Sequence, residues 1–457
     1  MFLIAEYRKS QYVQKLVKLC VGIIFLASII LPIFNKLDEE KFSGDENYYL
    51  YASSYFKLLF VDRNVHSERW KELAAYGHPQ VGSYIVGLAL TLTGHPDTSR
   101  EAVIDYVTNN YWELYWNKDD WRTPPADILY TGRFVIGLFG VSSCLLLYYL
   151  GSKLFNVRTG AIASLLLAYN PVFLRHSRRA MGDIPLTFFF IMHVVLLVLF
   201  YRSLRHRRRI KTLFWAVFLG INAGLTTGVK LIGITTLVLY ALFCLLLILI
   251  EFLFFRIASH DRPSVLKRAW MIFFYFCLSC TVATALFIGI YPYVYTDTAQ
   301  KLVQMFTARN ELIAWQQQNI GPALMTISDK AMLVIQRTLL PNNYGRVTTD
   351  MFGNIYPENF VVLGNIIKLP IDFALFLLGS IMLVYGELRY FVRHRRISIR
   401  SVPILWIVLF FIVITIWIPL DWDRYYLPLL PPIALLISYG IDRVISLIKQ
   451  QYRNNQT

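Results

Sequence analysis

The chain has 457 residues, of which 56% are hydrophobic and only 16% are charged, and its mean hydropathy is +0.47. Soluble globular proteins carry roughly 25% charged residues, so this composition excludes an ordinary soluble enzyme and indicates a membrane protein. The net charge of +16 does not indicate a nucleic-acid-binding protein, because the Lys and Arg residues are concentrated in short loops between apolar segments.

The apolar segments predict an all-α polytopic membrane protein with about ten transmembrane helices. A spanning helix needs roughly 20 mostly apolar residues. The predicted spans lie near residues 17–34, 128–150, 159–175, 183–201, 212–227, 231–254, 269–291, 370–388, 402–419 and 427–447. A transmembrane β-barrel is excluded, because the apolar runs are long and continuous rather than short and alternating. The first span is expected to be retained as an anchor, since no small-residue cleavage site follows it.

Positively charged loops predict the orientation. Residues 202–211 contain six Lys or Arg residues, and residues 389–400 contain five Arg residues. Further Lys and Arg residues flank the loop within 256–268. With ten spans and the N-terminus inside, these three loops and the C-terminal tail all lie in the cytoplasm, as the positive-inside rule requires. The expected location is the plasma or inner membrane with the site facing the periplasm or exterior, or the endoplasmic reticulum membrane in a eukaryote.

This topology divides the chain into five parts. They are the cytoplasmic N-terminus and first span (1–34), an external loop (35–127), spans two to seven (128–291), a second external loop (292–369), and spans eight to ten with a cytoplasmic tail (370–457). In the first loop, the spacing of apolar residues predicts an amphipathic interfacial helix near 46–60. Residues 80–93 are apolar but too short to span, which predicts a second interfacial or re-entrant helix. The second loop is expected to form one or two helices that cap a cavity. In it, Arg309 and Glu311 are candidates for substrate contact or for a solvated helix face.

Ionisable residues from four separate segments are predicted on the external side. Charged residues at the depth of a membrane usually mark a pathway or a site. The four segments are the adjacent pair Asp45-Glu46, the loop 175–183, Lys230, and residues 421–426. Tyr48, His78 and Tyr425 accompany them as candidate residues of a substrate cavity. Because these groups converge on one side, the sequence predicts a polar active site at that face.

Such a set of groups suits glycosyl transfer from a lipid phosphate. The acceptor hydroxyl needs a carboxylate as general base, and the departing phosphate needs cations. Asp45 is the predicted base with Glu46 as its supporting neighbour, and Asp183 is predicted to position the acceptor or a metal ion. The predicted phosphate-binding residues are Arg178, Arg179, Lys230 and Arg424. A divalent cation shared by Asp45, Glu46 and Asp183 remains open, although the basic residues make a metal cofactor dispensable.

Each feature also has a purely structural alternative. The pair Asp45-Glu46 fits the first turn of a helix, where acidic residues stabilise the helix dipole. In the structural alternative, the arginines near 175–179 bind lipid headgroups, and the Lys230 side chain extends to the membrane interface. Asp423 and Arg424 fit a local ion pair of little energetic value. The joint placement, rather than any single residue, favours the active-site interpretation.

The ordered motifs resemble a known family. They are Gly44-Asp-Glu-Asn-Tyr-Tyr, Gly77-His-Pro, Gly132-Arg-Phe, Ser177-Arg-Arg-Ala-Met-Gly-Asp, Gly224-Leu-Thr-Thr-Gly-Val-Lys and Asp423-Arg-Tyr-Tyr-Leu-Pro. Together they resemble the dolichyl-phosphate-mannose–protein mannosyltransferase-like superfamily of GT-C glycosyltransferases, which includes aminoarabinose transferases. The resemblance covers most of residues 15–445.

The resemblance implies an inverting transfer of a sugar from a polyprenyl phosphate at a cavity on the outer side of the membrane. The family's acidic pair falls on Asp45 and Glu46, its second acidic residue on Asp183, and its basic residues on Lys230 and Arg424. The expected partners are the lipid-linked donor, a glycan, lipid or protein acceptor, and membrane lipids, but no nucleic acid. The segment 292–369 is too short for the large lumenal domain of eukaryotic members, which makes a protein acceptor less expected. A transporter or flippase of lipid-linked sugars is the alternative function.

Overall fold

The computed structural model describes most of the chain. The described residues are 2–96, 124–258, 262–319, 326–340, 348–349, 355–356, 362–367, 369–418 and 421–454. In these ranges the protein is almost entirely helical. The exception is an antiparallel ribbon of two two-residue strands. The prediction of an all-α membrane protein is therefore confirmed.

Eighteen α-helices are numbered in chain order within the described ranges. The first nine are α1 Phe2–Phe34, α2 Gly44–Ala52, α3 Ser54–Phe56, α4 Leu73–Tyr76, α5 Val81–Leu92, α6 Ala126–Leu154, α7 Val157–Ala168, α8 Pro171–Ser177 and α9 Asp183–Arg205. The others are α10 Arg209–Val229, α11 Thr235–Ala258, α12 Arg262–Gly289, α13 Thr298–Asn319, α14 Ile327–Leu339, α15 Leu363–Ile367, α16 Ile371–His394, α17 Val402–Trp417 and α18 Leu430–Asn454. Strands β1 Thr348–Thr349 and β2 Ile355–Tyr356 form the ribbon. Short 3₁₀ segments at Glu68–Lys71, Leu231–Ile234, Pro292–Val294, Ile399–Ser401 and Asp423–Leu429, and a π segment at Lys57–Val61, connect them.

Nine helices in the described ranges are long and apolar enough to cross a membrane, and a bent pair makes a tenth candidate. The bent pair is α7 and α8, which meet at an angle of 67°. The span predicted at 159–175 therefore contains a sharp bend near residue 170. The helix breaks because Pro171 cannot donate a backbone hydrogen bond, and because the Asn170 side chain caps a new helix by accepting from the Val172 and Phe173 amides, each at 3.1 Å.

The predicted division between the fifth and sixth spans is present. Helix α10 ends at Val229, and Lys230 takes an extended conformation (φ −151°, ψ 144°) before the chain continues into α11. At this break Gly233 passes so close to α10 that a Cβ there would lie 2.2 Å from the Thr226 carbonyl oxygen. The sharp reversal holds Lys230 at the end of α10, where its side chain faces the candidate site.

One helix from each of the two long loops packs against the transmembrane bundle. Helix α5, in the segment predicted to be interfacial or re-entrant, packs against α3 and α6, with Ser83 and Val86 fully buried. In the second loop, α14 packs against α17 and the 3₁₀ segment Asp423–Leu429. The buried Arg337 of α14 pairs there with Asp421. These contacts bring both long loops to the same end of the bundle.

Helices α16 and α18 approach each other closely at glycines. A Cβ at Gly379 would lie 2.1 Å from the Leu436 carbonyl oxygen, and one at Gly440 would lie 2.5 Å from the Leu375 carbonyl oxygen. Small residues are common where membrane helices pack, because they let the backbones touch. This contact therefore depends on the absence of a side chain at both positions.

We expect Gly379→Ala to lower the stability of the protein by about 1–3 kcal/mol, because the new methyl group overlaps α18. The measurement is the unfolding midpoint in detergent as sodium dodecyl sulfate is added. Gly386→Ala on the same helix is the matched control, since a Cβ there meets nothing within 4 Å. Equal midpoints for the two variants would contradict the proposed close contact.

Candidate active site

A large cleft lies at the end of the bundle where the two long loops pack. It encloses about 1260 Å³ of empty space, part of which is open to solvent. Seven of the residues predicted for the site line it: Asp45, Tyr48, His78, Asp183, Lys230, Arg424 and Tyr425. The structure therefore gathers into one cleft groups that are up to 380 positions apart in sequence.

Asp45 enters the cleft from the first turn of α2. Helix N-termini favour negative charge, so the backbone of α2 stabilises the ionised carboxylate. The side chain forms an ion pair with Arg424, and about a quarter of it remains exposed. Asp45 thus presents a partly accessible carboxylate that is already paired with one of the cations of the cleft.

Asp183 and Lys230 form a second ion pair in the same cleft. The Lys230 Nζ atom lies 2.6 Å from Asp183 Oδ1. Asp183 is the first residue of α9 and only 3% exposed, and its Oδ2 atom has no hydrogen-bond partner among the described residues. A buried carboxylate oxygen without a partner is costly, so a hydrogen-bond donor that reached this oxygen would remove that cost.

Arg424 is held in place by its neighbours along the chain. Asp423 accepts a hydrogen bond from Arg175 at 3.1 Å, and the His176 Nε2 atom also lies 3.1 Å from it. The guanidinium group of Arg424 lies 4.3 Å from the centre of the Trp422 ring, which is within the range of a cation–π interaction. The backbone of this segment is therefore anchored while the guanidinium plane lies against an aromatic surface.

Glu46 does not line the cleft, although the sequence predicts it beside the base. It is fully buried and accepts two hydrogen bonds from Arg133, at 2.9 and 3.0 Å. It also accepts from the Ala180 amide at 2.8 Å and from the Ser43 amide at 2.9 Å. Consecutive residues of a helix point in directions about 100° apart, which is why the Asp45 side chain faces the cleft and the Glu46 side chain faces the interior of the bundle. Glu46 ties α2, α6 and the loop before Asp183 together.

The predicted phosphate ligands Arg178 and Arg179 also lie away from the cleft. Arg178 donates to the carbonyl oxygens of Pro32 and Ile33 at the end of α1, and Arg179 lies 3.4 Å from Glu40. The last carbonyl groups of a helix lack partners and attract cations, so Arg178 caps α1. The structure thus gives these two arginines contacts with α1 and with the segment that follows it.

The second loop supplies further residues of the cleft. Arg309, Leu312 and Ile313 of α13 line it, whereas Glu311 does not. The spacing of Arg309, Leu312 and Ile313 places them on one face of the helix. Arg309 is therefore a third cation in the cleft, alongside Lys230 and Arg424.

Sequence reasoning missed two features. One is the buried Arg133. Its position inside a predicted apolar span could have indicated a buried ion pair, because a charge there requires a partner. The other is an apolar wall of the cleft formed by the end of α17. Its residues are Val413, Ile414, Trp417 and Ile418. Nothing in a uniformly apolar helix distinguishes the residues that face a cleft from those that face lipid.

His78 is neutral at physiological pH. Desolvation within the crowded cleft lowers its pKa to about 3, and the nearby positive charges of Arg309 and Lys230 act in the same direction. Its ring packs edge-on against Tyr48, with the ring centres 5.1 Å apart. His78 therefore contributes a neutral hydrogen-bonding group to the cleft and no positive charge.

The cleft offers little to a metal ion. The described residues contain no group of three or more His, Cys, Asp or Glu side chains placed to hold one. Glu46 is engaged by Arg133, and Asp45 and Asp183 each have a basic partner. A divalent cation at this site would have to displace at least one of those partners.

Comparisons with known proteins define the class of the molecule. It has the GT-C fold, as shown by two solved structures of similar shape. The archaeal oligosaccharyltransferase AglB from Archaeoglobus fulgidus, solved with an inhibitory peptide and a dolichol-phosphate, has a TM-score of 0.53 and 16% identity, covering 98% of this chain and 52% of that one. ArnT from Cupriavidus metallidurans bound to undecaprenyl phosphate has a TM-score of 0.51 and 14% identity, covering 92% of this chain and 60% of that one.

The sequence comparison agrees with the motifs. The profile of the family described as dolichyl-phosphate-mannose-protein mannosyltransferase matches residues 46–253. No curated protein matches the chain. The chain spans between about half and three fifths of the length of the two solved structures. The family profile thus supports the resemblance over residues 46–253, and the two solved structures show the GT-C fold.

We expect Arg133→Ala to lower stability by about 3–5 kcal/mol, because it leaves the buried Glu46 carboxylate without its charge partner. The measurement is the thermal or detergent-induced unfolding midpoint. Lys71→Ala is the control, since Lys71 and its partner Glu68 are 71% and 81% exposed and such surface pairs contribute about 0–1 kcal/mol.

The double variant Glu46→Met/Arg133→Met removes both charges and should recover most of the lost stability. If Arg133→Ala unfolds at the same midpoint as Lys71→Ala, the buried pair does not hold the fold together as described.

Proposed function

We propose that the protein is a membrane glycosyltransferase that moves a sugar from a polyprenyl-phosphate donor to an acceptor at the face of the membrane where the cleft opens. The observation that carries this proposal is the composition of the cleft. Two carboxylates and three cations meet there beside an apolar wall. Acid–base groups, anion-binding groups and a lipid-compatible surface are the three elements that the reaction requires.

The donor is held by charge at one end and by apolar contact at the other. Arg424, Lys230 and Arg309 bind the phosphate oxygens, and the planar guanidinium groups offer bidentate contacts. The wall at Val413, Ile414, Trp417 and Ile418 packs against the first isoprene units. The two similar structures were solved with a dolichol-phosphate and with undecaprenyl phosphate, which supports a donor of this class.

The chemical step is a direct displacement. Asp45 removes the proton from the acceptor hydroxyl, the acceptor oxygen forms a bond to the anomeric carbon, and the bond from that carbon to the phosphate oxygen breaks. The phosphate leaves with the bonding electrons and is stabilised by the cations that hold it. Attack from the side opposite the phosphate inverts the configuration at the anomeric carbon.

Asp183 positions a hydroxyl group during this step. Asp183 lines the cleft, its Oδ1 atom is neutralised by Lys230, and its Oδ2 atom is buried without a hydrogen-bond partner among the described residues. A sugar or acceptor hydroxyl satisfies that oxygen. Tyr48, His78 and Tyr425 complete the walls of the cavity around the sugar.

The acceptor is a glycan, a lipid or a protein, and the sugar is a hexose or a pentose. The Lys and Arg distribution supports a cleft that faces the periplasm or exterior in a prokaryotic plasma membrane, or the lumen of the endoplasmic reticulum. Transport of the lipid-linked sugar is not favoured, because transporter sites lie near the midplane between repeats, whereas these groups converge at one end of the bundle.

We expect Asp45→Asn to reduce sugar transfer by roughly 10²- to 10⁴-fold, because the amide cannot accept the proton. The measurement uses purified protein in nanodiscs and a panel of radiolabelled polyprenyl-phosphate sugars, with consumption of the donor as the signal. The matched control is Asp62→Asn in the same loop, since Asp62 pairs with Lys57 on the surface. Unchanged turnover by Asp45→Asn would remove Asp45 as the base.

We propose that the cations of the chain stabilise the leaving phosphate without a metal cofactor. Donor consumption should then persist in excess EDTA, because Arg424, Lys230 and Arg309 are not removed by a chelator. The measurement is the same assay with EDTA, followed by addition of Mg²⁺ or Mn²⁺. Loss of activity that either ion restores would establish a metal requirement.

A further inference from the structure

The ion pair between Asp45 and Arg424 conflicts with the proposed chemistry of both residues. A carboxylate whose oxygen is bound by a guanidinium group is a poor acceptor for a proton, and a guanidinium group bound by a carboxylate has fewer N–H groups to offer a phosphate. The two residues cannot perform their proposed roles while they remain paired. The pair must therefore change during the reaction.

The structure indicates which of the two partners moves. Asp45 is next to Glu46, which is fixed by four hydrogen bonds, so the start of α2 is rigid. Arg424 is next to Asp423, whose contacts with Arg175 and His176 fix its backbone. The remaining freedom is in the long side chain of Arg424.

The aromatic surface beneath Arg424 suits such a movement. Its guanidinium carbon lies 4.3 Å from the centre of the Trp422 ring and 5.9 Å from that of Tyr425, and the two rings are almost parallel, with an angle of 8°. A planar guanidinium group can move across such a surface and keep its cation–π contact. Within the described part of the chain, no aromatic ring makes a cation–π contact with Lys230, and the ion pair of Lys230 with Asp183 is more enclosed, since Asp183 is buried.

We propose that Arg424 is a donor-operated switch. It binds Asp45 in the donor-free protein and transfers to the phosphate of the bound donor, which releases Asp45 to act as the base. This inference rests on the proposed function and adds an order of events to it, since the acceptor is activated only after the donor is in place. One charge-assisted contact replaces another, so the exchange needs little net free energy.

The switch predicts an unusual effect of a catalytic substitution on binding. Asp45→Asn removes the competitor for Arg424, so the affinity for a polyprenyl phosphate without a sugar should rise by about 5-fold or more, while turnover is lost. Arg424→Gln should lower that affinity. The measurement is equilibrium binding of undecaprenyl phosphate to purified protein in nanodiscs.

A double-mutant cycle separates the switch from a general charge effect. In the Arg424→Gln background, Asp45→Asn should change the affinity by less than about 2-fold, because the coupling passes through Arg424. Asp38→Asn, at an exposed position in the same loop, should leave the affinity unchanged. Arg424→Met, which also removes the positive charge, provides a second background if Arg424→Gln is not monodisperse.

Three outcomes overturn the switch. Equal or weaker binding by Asp45→Asn would mean that Arg424 holds both anions or does not hold the phosphate. The same increase in both backgrounds would indicate a simple effect of removing a negative charge. Failure of every variant and of the wild type to bind the lipid phosphate would overturn the proposed function and the switch together.

Discussion

The structure depends on one buried interaction, the bidentate ion pair between Glu46 and Arg133. Removing two charges from water is costly, and the cost is offset only when the remaining hydrogen bonds are also made. Glu46 meets that condition through the amides of Ser43 and Ala180, and Arg133 also donates to the Leu37 carbonyl oxygen at 3.1 Å. The pair joins α2, α6 and the loop before α9. It consequently fixes the segments that carry both carboxylates of the cleft.

The cleft is assembled from the ends of helices rather than from their middles. Asp45 and Asp183 occupy the first turns of α2 and α9, where the helix dipole favours a negative charge. Lys230 lies at the break after α10, and Arg424 lies in the 3₁₀ segment that leads into α18. Polar groups at helix ends reach water without interrupting the apolar bundle. The same arrangement places an apolar wall from α17 beside them, as a lipid-linked substrate would require.

The sequence predicted which segments meet but not which side chains of each segment face the cleft. Charge distribution and apolar length located nine of the predicted spans as single helices and the tenth as a bent pair, together with the common end at which Asp45, Asp183, Lys230 and Arg424 gather. These patterns did not show that Asp45 and Lys230 face the cleft whereas Glu46 and Arg178 do not, because the direction of a side chain depends on packing between distant helices. Arg178 donates to a carbonyl group at the end of α1, and Glu46 pairs with Arg133 on α6. The break at Asn170-Pro171 was visible in the sequence, but its apolar flanks were continuous enough to suggest one span.

A structure with undecaprenyl phosphate bound, determined by electron cryomicroscopy in nanodiscs, tests the central claim most directly. The account predicts that the phosphate lies in the cleft within salt-bridge distance of Arg424 and Lys230. It also predicts that the isoprene units lie along Trp417 and Ile418, and that Asp45 is separated from Arg424. A phosphate bound elsewhere on the protein, with the cleft occupied only by its own ion pairs, would contradict the account.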